Sequence, residues 1–186
     1  MNSGIISVTW TEMSGIPRWF DRKFEFRFPA DQHPILCARL RRTPARLDEV
    51  MRGSTRDVLV WKPLEKWSAQ EHAGHLLDVE PTFAQRVADF LSYASELTAA
   101  DLSNRKTHEA NHNGRPVEDI LAEFRSARLQ LVQRVHTINP ALFARAILHP
   151  RLRIPMRLVD HLFFVAEHDD HHLAHIWELI HSQRRQ

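Results

Sequence analysis

Glycine is scarce in this chain, and that scarcity most limits what the chain can fold into. The 186 residues include five glycines, and long segments contain no turn signal. In those segments apolar side chains recur every three or four residues, which is the pattern of amphipathic helices. The pattern predicts four long helices, over residues 32–52, 68–93, 116–138 and 156–182. Because each helix has one apolar face to bury, we predict an all-α four-helix bundle.

Capping residues and prolines mark the ends and the weak points of these helices. Ser68 followed by Glu71 has the sequence of a capping box, which predicts a helix start at Ser68. Asp31 is the expected N-cap of the first helix. Pro44 and Pro81 lie inside predicted helices, so we expect each of these helices to bend or break locally.

The first 30 residues carry a different pattern. Phe24, Phe26 and Phe28 alternate with charged residues, and this period of two indicates extended chain. We predict an extended arm over residues 1–30 and the bundle over residues 31–186. The aromatic side chains of the arm are expected to pack on the bundle or on a second subunit. Because an exposed patch of phenylalanines is costly in water, the arm favours a homodimer.

The sequence also predicts the structure of three shorter segments. Residues 5–10 are compatible with a short strand. Residues 98–115 form a polar connection that is long for a bundle and is expected to cover one end of it. Residues 149–155 are predicted to be a loop flanked by prolines.

Composition argues against several classes of protein. Lys and Arg number 25 against 23 Asp and Glu, and the two signs are interspersed, so nothing indicates nucleic-acid binding. No apolar run approaches the roughly 18 residues of a membrane span, so we expect no membrane partner. Residues 1–15 lack the pattern of a signal peptide, and a cytoplasmic location is expected. The single cysteine, Cys37, is interpreted as a core residue, with a catalytic thiol as the alternative.

Histidine density is the feature that indicates chemistry. The chain has 13 histidines, and five of them lie between His161 and His175. His168 and His172 are four residues apart, which places both imidazoles on one face of a helix, as in helices that bind a metal ion. Their phase puts them along or beside the apolar stripe, where a buried imidazole needs a partner. A metal ion would supply that partner.

Two imidazoles do not complete a metal site, so another helix has to contribute a ligand. The second helix offers His72 and His75, which lie on similar faces. On the last helix His161 and His175 also fall near the interior face, whereas His171 points about a quarter turn away.

Two motifs resemble a known family. Residues 67–76, WSAQEHAGHL, resemble the W-S-x-x-E-x-x-x-H-L opening of the DinB/YfiT-like superfamily, and residues 168–176, HDDHHLAHI, resemble its closing H-x-x-H-H-x-x-Q-I motif. The match covers most of the chain from about residue 20 onward. The resemblance implies a bundle in up-up-down-down order, often homodimeric. It also implies nickel or zinc bound by three histidines, here His75, His168 and His172.

The resemblance implies chemistry as well. Some members transfer small molecules with a low-molecular-weight thiol, and others are described as metal-dependent hydrolases. We therefore expect a metal-dependent enzyme with a small-molecule substrate, with thiol-dependent transfer ahead of hydrolysis. Both reactions use an open position on the metal, which binds a thiol or a water. The alternatives are a binding or sensing bundle with a structural metal, and a metal-free bundle whose histidines pair with one another.

Further residues are expected beside the metal. His175 stands where the family usually has Gln, and it is expected to be a fourth ligand or a hydrogen-bond donor next to the ligands. Asp78, and Asp169 or Glu167, are candidate carboxylates that accept the other N–H of a ligand imidazole. Histidines of the polar connection are candidates for an acid or base at the mouth of the site: His108 and His112.

Overall fold

The computed structural model describes residues 15–64 and 66–183, and helices dominate this part of the chain. The strand predicted over residues 5–10 lies outside the described residues, and the division of the chain at residue 30 stays a prediction. No described helix has the length and apolar character needed to cross a membrane. In chain order the helices are α1 (His33–Met51), α2 (Arg56–Val60), α3 (Ala69–Leu91), α4 (Arg105–Glu109), α5 (Val117–His136) and α6 (Leu158–Gln183).

The four long helices form the bundle that the sequence predicts. α1 and α3 each pack against both α5 and α6, so the first two long helices occupy diagonal positions. In an up-up-down-down order this placement makes every neighbouring pair of helices antiparallel. The short helices α2 and α4 lie in the connections and pack on α3.

The start of α3 is determined by its first turn. The Ser68 hydroxyl oxygen accepts the backbone N–H of Glu71 at 3.0 Å, and a Glu71 carboxylate oxygen accepts the backbone N–H of Ser68 at 2.8 Å. Both halves of the predicted capping box are therefore present. The cap satisfies two of the four N–H groups that the end of a helix leaves without partners.

The first helix begins differently from the prediction. Gln32 rather than Asp31 is the N-cap of α1, and its side chain makes no capping bond. Pro34 lies in the first turn, where its ring presets a helical backbone and its missing N–H leaves one donor fewer to cap. α1 runs unbroken through Pro44, and α3 runs unbroken through Pro81. A proline removes one hydrogen bond, and the packing of the flanking turns retains the helix despite that loss.

Residues 146–157 form a hairpin around the predicted loop, and the sequence misses its two strands. β1 (Ala146–Leu148) pairs antiparallel with β2 (Pro155–Arg157). Ile147 lies opposite Met156, and both side chains are buried. Strands of three residues are too short to carry a readable period of two, which is why sequence patterning misses them.

The described part of the N-terminal arm lies on the bundle as extended chain. From residue 21 to residue 30 its side chains alternate between exposed and half-buried, as the period-two pattern predicts. Phe24, Phe26 and Phe28 pack against the core, with ring contacts to Phe163 and Phe164 of α6. The phenylalanine patch is therefore covered within one chain. The homodimer stays a prediction without that support.

The core consists of two apolar clusters with a polar layer between them. Phe90 belongs to one cluster and Ile176 to the other. The guanidinium of Arg128, fully buried, donates to Glu80 at 2.5 Å and to Asp169 at 3.0 Å in the layer between. Burial alone would lower the pKa of Arg128, but the attraction of Asp169 and Glu80 raises it. Loss of Arg128 would leave the buried carboxylates of Glu80 and Asp169 without their ion pair, which is strongly destabilising.

Candidate metal centre

Three imidazoles from two helices meet inside the bundle. The Nε2 atom of His168 lies 3.4 Å from Nε2 of His75 on α3 and 3.2 Å from Nε2 of His172, one turn along α6. One nitrogen of each ring lies within 4.8 Å of the other two. Around a tetrahedral ion with metal–nitrogen distances of about 2.0–2.1 Å, neighbouring nitrogens are about 3.3 Å apart. The three predicted residues therefore form a group of the right size, here called the histidine group.

The imidazoles of the histidine group are neutral at pH 7. Burial lowers the pKa of His75 to about 4, although the nearby charge of Asp78 opposes the shift. Burial, followed by the neighbouring imidazoles, lowers the pKa of His168 and of His172 well below the ordinary value. A neutral imidazole keeps a lone pair on one nitrogen, which is the form that binds a metal ion.

Thr107 of α4 orients His75. The Thr107 hydroxyl lies 3.0 Å from Nδ1 of His75 and also bonds to the Asp78 carboxylate. Burial would raise the pKa of Asp78, but hydrogen bonds from His112 and Thr107 lower it, so the carboxylate is ionised and only accepts. The hydroxyl therefore donates to Asp78 and accepts Nδ1–H of His75, which leaves Nε2 of His75 bare. The direct contact predicted between Asp78 and His75 is not made, because Thr107 lies between them.

His112 lies behind the histidine group and not at its mouth. Its side chain is 1% exposed, and its Nε2 is 2.8 Å from an Asp78 oxygen. The ring fits there because residue 74 is glycine, where a Cβ would lie 2.2 Å from Cγ of His112. His108 is exposed and packs against Trp67, with ring centroids 5.7 Å apart. The prediction that His112 is an acid or base at the mouth of the site is therefore wrong.

His72 and His175 lie beside the histidine group. Nδ1 of His72 is 2.8 Å from Nδ1 of His172, so the two rings share one hydrogen. The His175 ring stacks on the His72 ring at 9°, with centroids 5.1 Å apart. Among the described residues, the set of nitrogens close enough to share one ion consists of His75, His168 and His172. The geometry thus places His175 and His72 as neighbours of the group, and it favours His75 over His72 as the member from α3.

The two carboxylates next to His168 in sequence turn away from it. Asp169 accepts from Arg128 at 3.0 Å. Glu167 accepts from Arg22 of the arm at 2.5 Å and from Arg39 of α1 at 2.7 Å. The prediction that one of them holds a ligand imidazole is wrong, because adjacent residues of a helix point about 100° apart. These ion pairs instead hold the rotation of α6 that turns His168 inward.

The histidine group lines a cavity of about 850 Å³, here called the central cavity. The ring centroid of Trp67 lies 4.8 Å from that of His75, and Trp19 of the arm lies 5.0 Å from His168. Both indoles form walls of the cavity. A space of this size accommodates a small organic molecule. Sequence reasoning assigned no site role to either tryptophan, because each reaches the histidines only through the fold.

Comparisons with known proteins identify a family and a similar fold. A family model described as the DinB superfamily matches residues 39–176. The solved structure of YfiT from Bacillus subtilis superposes with a TM-score of 0.76 at 20% identity, over 88% of this chain and 93% of that chain. That protein is described as a probable metal-dependent hydrolase with an unusual four-helix bundle topology. At this identity the likeness shows the fold. Comparison with curated proteins gives no match.

Proposed function

This chain belongs to the DinB superfamily, and on that premise we propose that it is a metal-dependent enzyme acting on a small molecule in the central cavity. The observation that carries the proposal is the convergence of His75, His168 and His172 at the wall of a large cavity. The ligand set suits nickel or zinc, since both accept imidazole nitrogen. An ion held by these three histidines would supply Lewis acidity, which lowers the pKa of a thiol or a water.

In the alternative, a metal-free bundle, the ring nitrogens of the histidine group lack a full set of hydrogen-bond partners. Nε2 of His168 has close contacts with both His75 and His172, at 3.4 and 3.2 Å. An imidazole nitrogen carries either one hydrogen or one lone pair, so it makes one good hydrogen bond. One of the two contacts is then left without a proper donor and acceptor. A cation shared by three bare nitrogens removes this conflict.

Hydrogen bonds orient two members of the histidine group from behind. Thr107 accepts Nδ1–H of His75, as described above. If Nε2 of His172 is bare, its Nδ1–H donates to Nδ1 of His72 at 2.8 Å. Such bonds fix the ring that a metal ion meets and strengthen its basicity.

Two further imidazoles line the central cavity as hydrogen-bond acceptors. Burial lowers the pKa of His171 to about 4 and also lowers that of His175. Both are therefore neutral at pH 7, and each carries a lone pair that can accept a hydrogen bond from a nucleophile bound in the cavity. The rings of His171 and His175 pack edge to face, with centroids 4.6 Å apart.

Two reactions share these residues. The family resemblance supports thiol-dependent transfer, with a low-molecular-weight thiol as co-substrate. The description of YfiT supports hydrolysis. Both reactions begin when a nucleophile in the cavity loses a proton, so a metal ion on the histidine group would serve either one.

Metal content is the first test. We expect the protein from metal-supplemented medium to contain about one nickel or zinc ion per chain. His168→Ala should lose most of it, whereas the exposed control His108→Gln should retain it. Elemental analysis after gel filtration measures both. A wild-type protein without metal, or a His168→Ala protein with the wild-type content, would contradict the proposal.

Two assays on the loaded protein separate the reactions. Bacillithiol, mycothiol and glutathione are offered with an electrophilic dye, and a nitrophenyl ester is offered without thiol. Turnover that requires one thiol and is lost in His168→Ala supports transfer. Ester cleavage that is lost in the same variant supports hydrolysis.

A further inference from the structure

A second set of basic side chains lines the central cavity. Arg86 on α3, and His149 and Arg151 on the hairpin turn, lie on its wall. They are electrostatic neighbours of one another, since Arg86 and Arg151 both act on His149. We call these three residues the basic cluster. No step of the proposed function uses them.

Arg86 is buried without a dedicated acidic partner. It is 2% exposed, its Nε–H donates to the Thr98 carbonyl at 2.9 Å, and no described carboxylate lies within ion-pair distance of it. Asp89 attracts it from farther away, but that carboxylate already accepts Thr98 N–H at 2.6 Å and the Gln85 amide at 3.1 Å. Burial lowers the pKa of Arg86 to about 10, so the group remains charged. A buried cation in this state is destabilising until an anion joins it.

His149 and Arg151 offer further donors with no described partner. Nδ1 of His149 accepts the backbone N–H groups of Arg151 and Leu152 at 3.2 and 3.1 Å, so the proton is on Nε2. That Nε2 is buried and has no hydrogen-bond partner among the described residues. The same is true of one terminal nitrogen of Arg151, whose guanidinium lies 5.3 Å from the Phe20 ring centroid.

We propose that the basic cluster binds an oxyanion of the substrate, a carboxylate or a phosphate, while the reacting group lies at the histidine group. The inference rests on the proposed function in that both place the substrate in the central cavity. Guanidinium groups present N–H donors in a fork that matches the oxygens of a carboxylate or phosphate. The Nε2–H of His149 adds a neutral donor.

The wall between the two groups indicates what joins the two ends of the substrate. The Phe83 ring lies 5.7 Å from the His168 ring, and the Phe164 ring lies 5.5 Å from the His149 ring. Both phenylalanines line the central cavity. An apolar part of the wall thus touches both groups, through Phe83 beside the histidine group and Phe164 beside the basic cluster. The substrate class that fits is an aryl or short alkyl compound with an anionic group at one end.

Calorimetric titration with three probes tests the inference on the protein as purified. 3-Phenylpropionate and phenyl phosphate carry the anion, and 3-phenylpropionamide is the neutral match. We expect both anions to bind at least about tenfold more tightly than the amide. Arg86→Gln and Arg151→Gln should each weaken the anions about tenfold or more and leave the amide unchanged. Arg41→Gln removes an exposed arginine of α1 and should change nothing.

The outcomes distinguish this inference from the proposed function. Anion binding that persists in His168→Ala, where the metal is lost, supports an oxyanion on the arginines. Equal affinity for 3-phenylpropionate and its amide overturns the inference, and so does anion binding that both arginine variants retain. If the protein holds no metal but still binds anions through these arginines, the proposed function fails and this inference stands. Arg151 is half-buried, so Arg151→Gln carries the test if Arg86→Gln does not fold, as judged by circular dichroism.

Discussion

A threonine hydroxyl links the ionised Asp78 to the imidazole of His75. Thr107 donates to the carboxylate and accepts Nδ1–H, so it fixes both the tautomer and the rotation of the ring. The carboxylate acts on the imidazole through this hydroxyl and makes Nε2 a better electron donor. A carboxylate in direct contact would have the same effect, but in this chain Asp78 also has to hold His112.

Thr107→Val removes the hydroxyl and keeps the shape of the side chain. We expect the affinity for zinc or nickel to fall about 10- to 100-fold, because His75 loses the bond that orients it. Thr107→Ser keeps the hydroxyl and should retain most of the affinity. Competition with a chelating dye measures the metal affinity, and thermal unfolding followed by circular dichroism verifies the fold. A valine variant with wild-type affinity would remove Thr107 from the site.

At the scale of elements, α3 and the connection that follows α4 approach each other closely. The Gln70 amide donates to the carbonyls of His112 at 2.6 Å and of Arg115 at 2.8 Å, which ties the connection to the helix. Gly74 lies one turn farther along α3, where the His112 ring takes the space of a side chain. The predicted cover of the bundle end is therefore also the support behind the histidine group.

Gly74→Ala has two opposing effects on the free energy of unfolding. Alanine in a helix interior is favoured over glycine by about 1 kcal/mol. The new Cβ would meet the His112 ring at 2.2 Å, and overpacking of a core costs about 1–3 kcal/mol or more. We expect the clash to win because the ring is held by Asp78, so the free energy of unfolding in urea should decrease. Gly15→Ala, where no atom lies within 4 Å of the new Cβ, should change it by less than about 0.5 kcal/mol. A more stable Gly74→Ala protein would show that His112 moves freely.

At the scale of the whole molecule, buried neutral histidines make folding depend on pH. Burial lowers the pKa of His149 and His161 to about 3, and that of His75 and His171 to about 4. Above the unfolded value of 6.5, these groups are neutral in both states. Below it, the unfolded chain binds protons that the folded protein refuses until the pH approaches the lowered values. Stability therefore falls as the pH decreases from about 6.5 toward 4.

We expect the metal-free protein to lose stability steeply in that window. Each histidine that stays neutral in the folded state contributes about 1.4 kcal/mol per pH unit. Urea unfolding at half-unit steps between pH 7.5 and 4.5 measures the slope, which should correspond to the uptake of at least about two protons on unfolding. The exposed control His136→Gln should leave the slope unchanged. Stability that is flat between pH 7 and 5 would mean that the buried histidines titrate normally.

The sequence alone was sufficient for the long helices and for the composition of the histidine group. Helical periodicity, the Ser68–Glu71 cap and the four-residue spacing of His168 and His172 arise between residues within one or two turns of each other. Such features can be read from the sequence because they do not depend on the position of distant segments. The opening motif added His75, and with it the expectation that two helices share one ion.

Only the tertiary structure decided what surrounds that group. Thr107 and Trp19 reach the histidines from distant segments, and the basic cluster forms because α3 and the hairpin turn line the same cavity. Asp169, next to His168 in sequence, turns to Arg128 instead. Contacts of this kind depend on how helices are rotated and where connections cross them. They leave no periodic signal in the chain, because the residues involved are neighbours only after the bundle has formed.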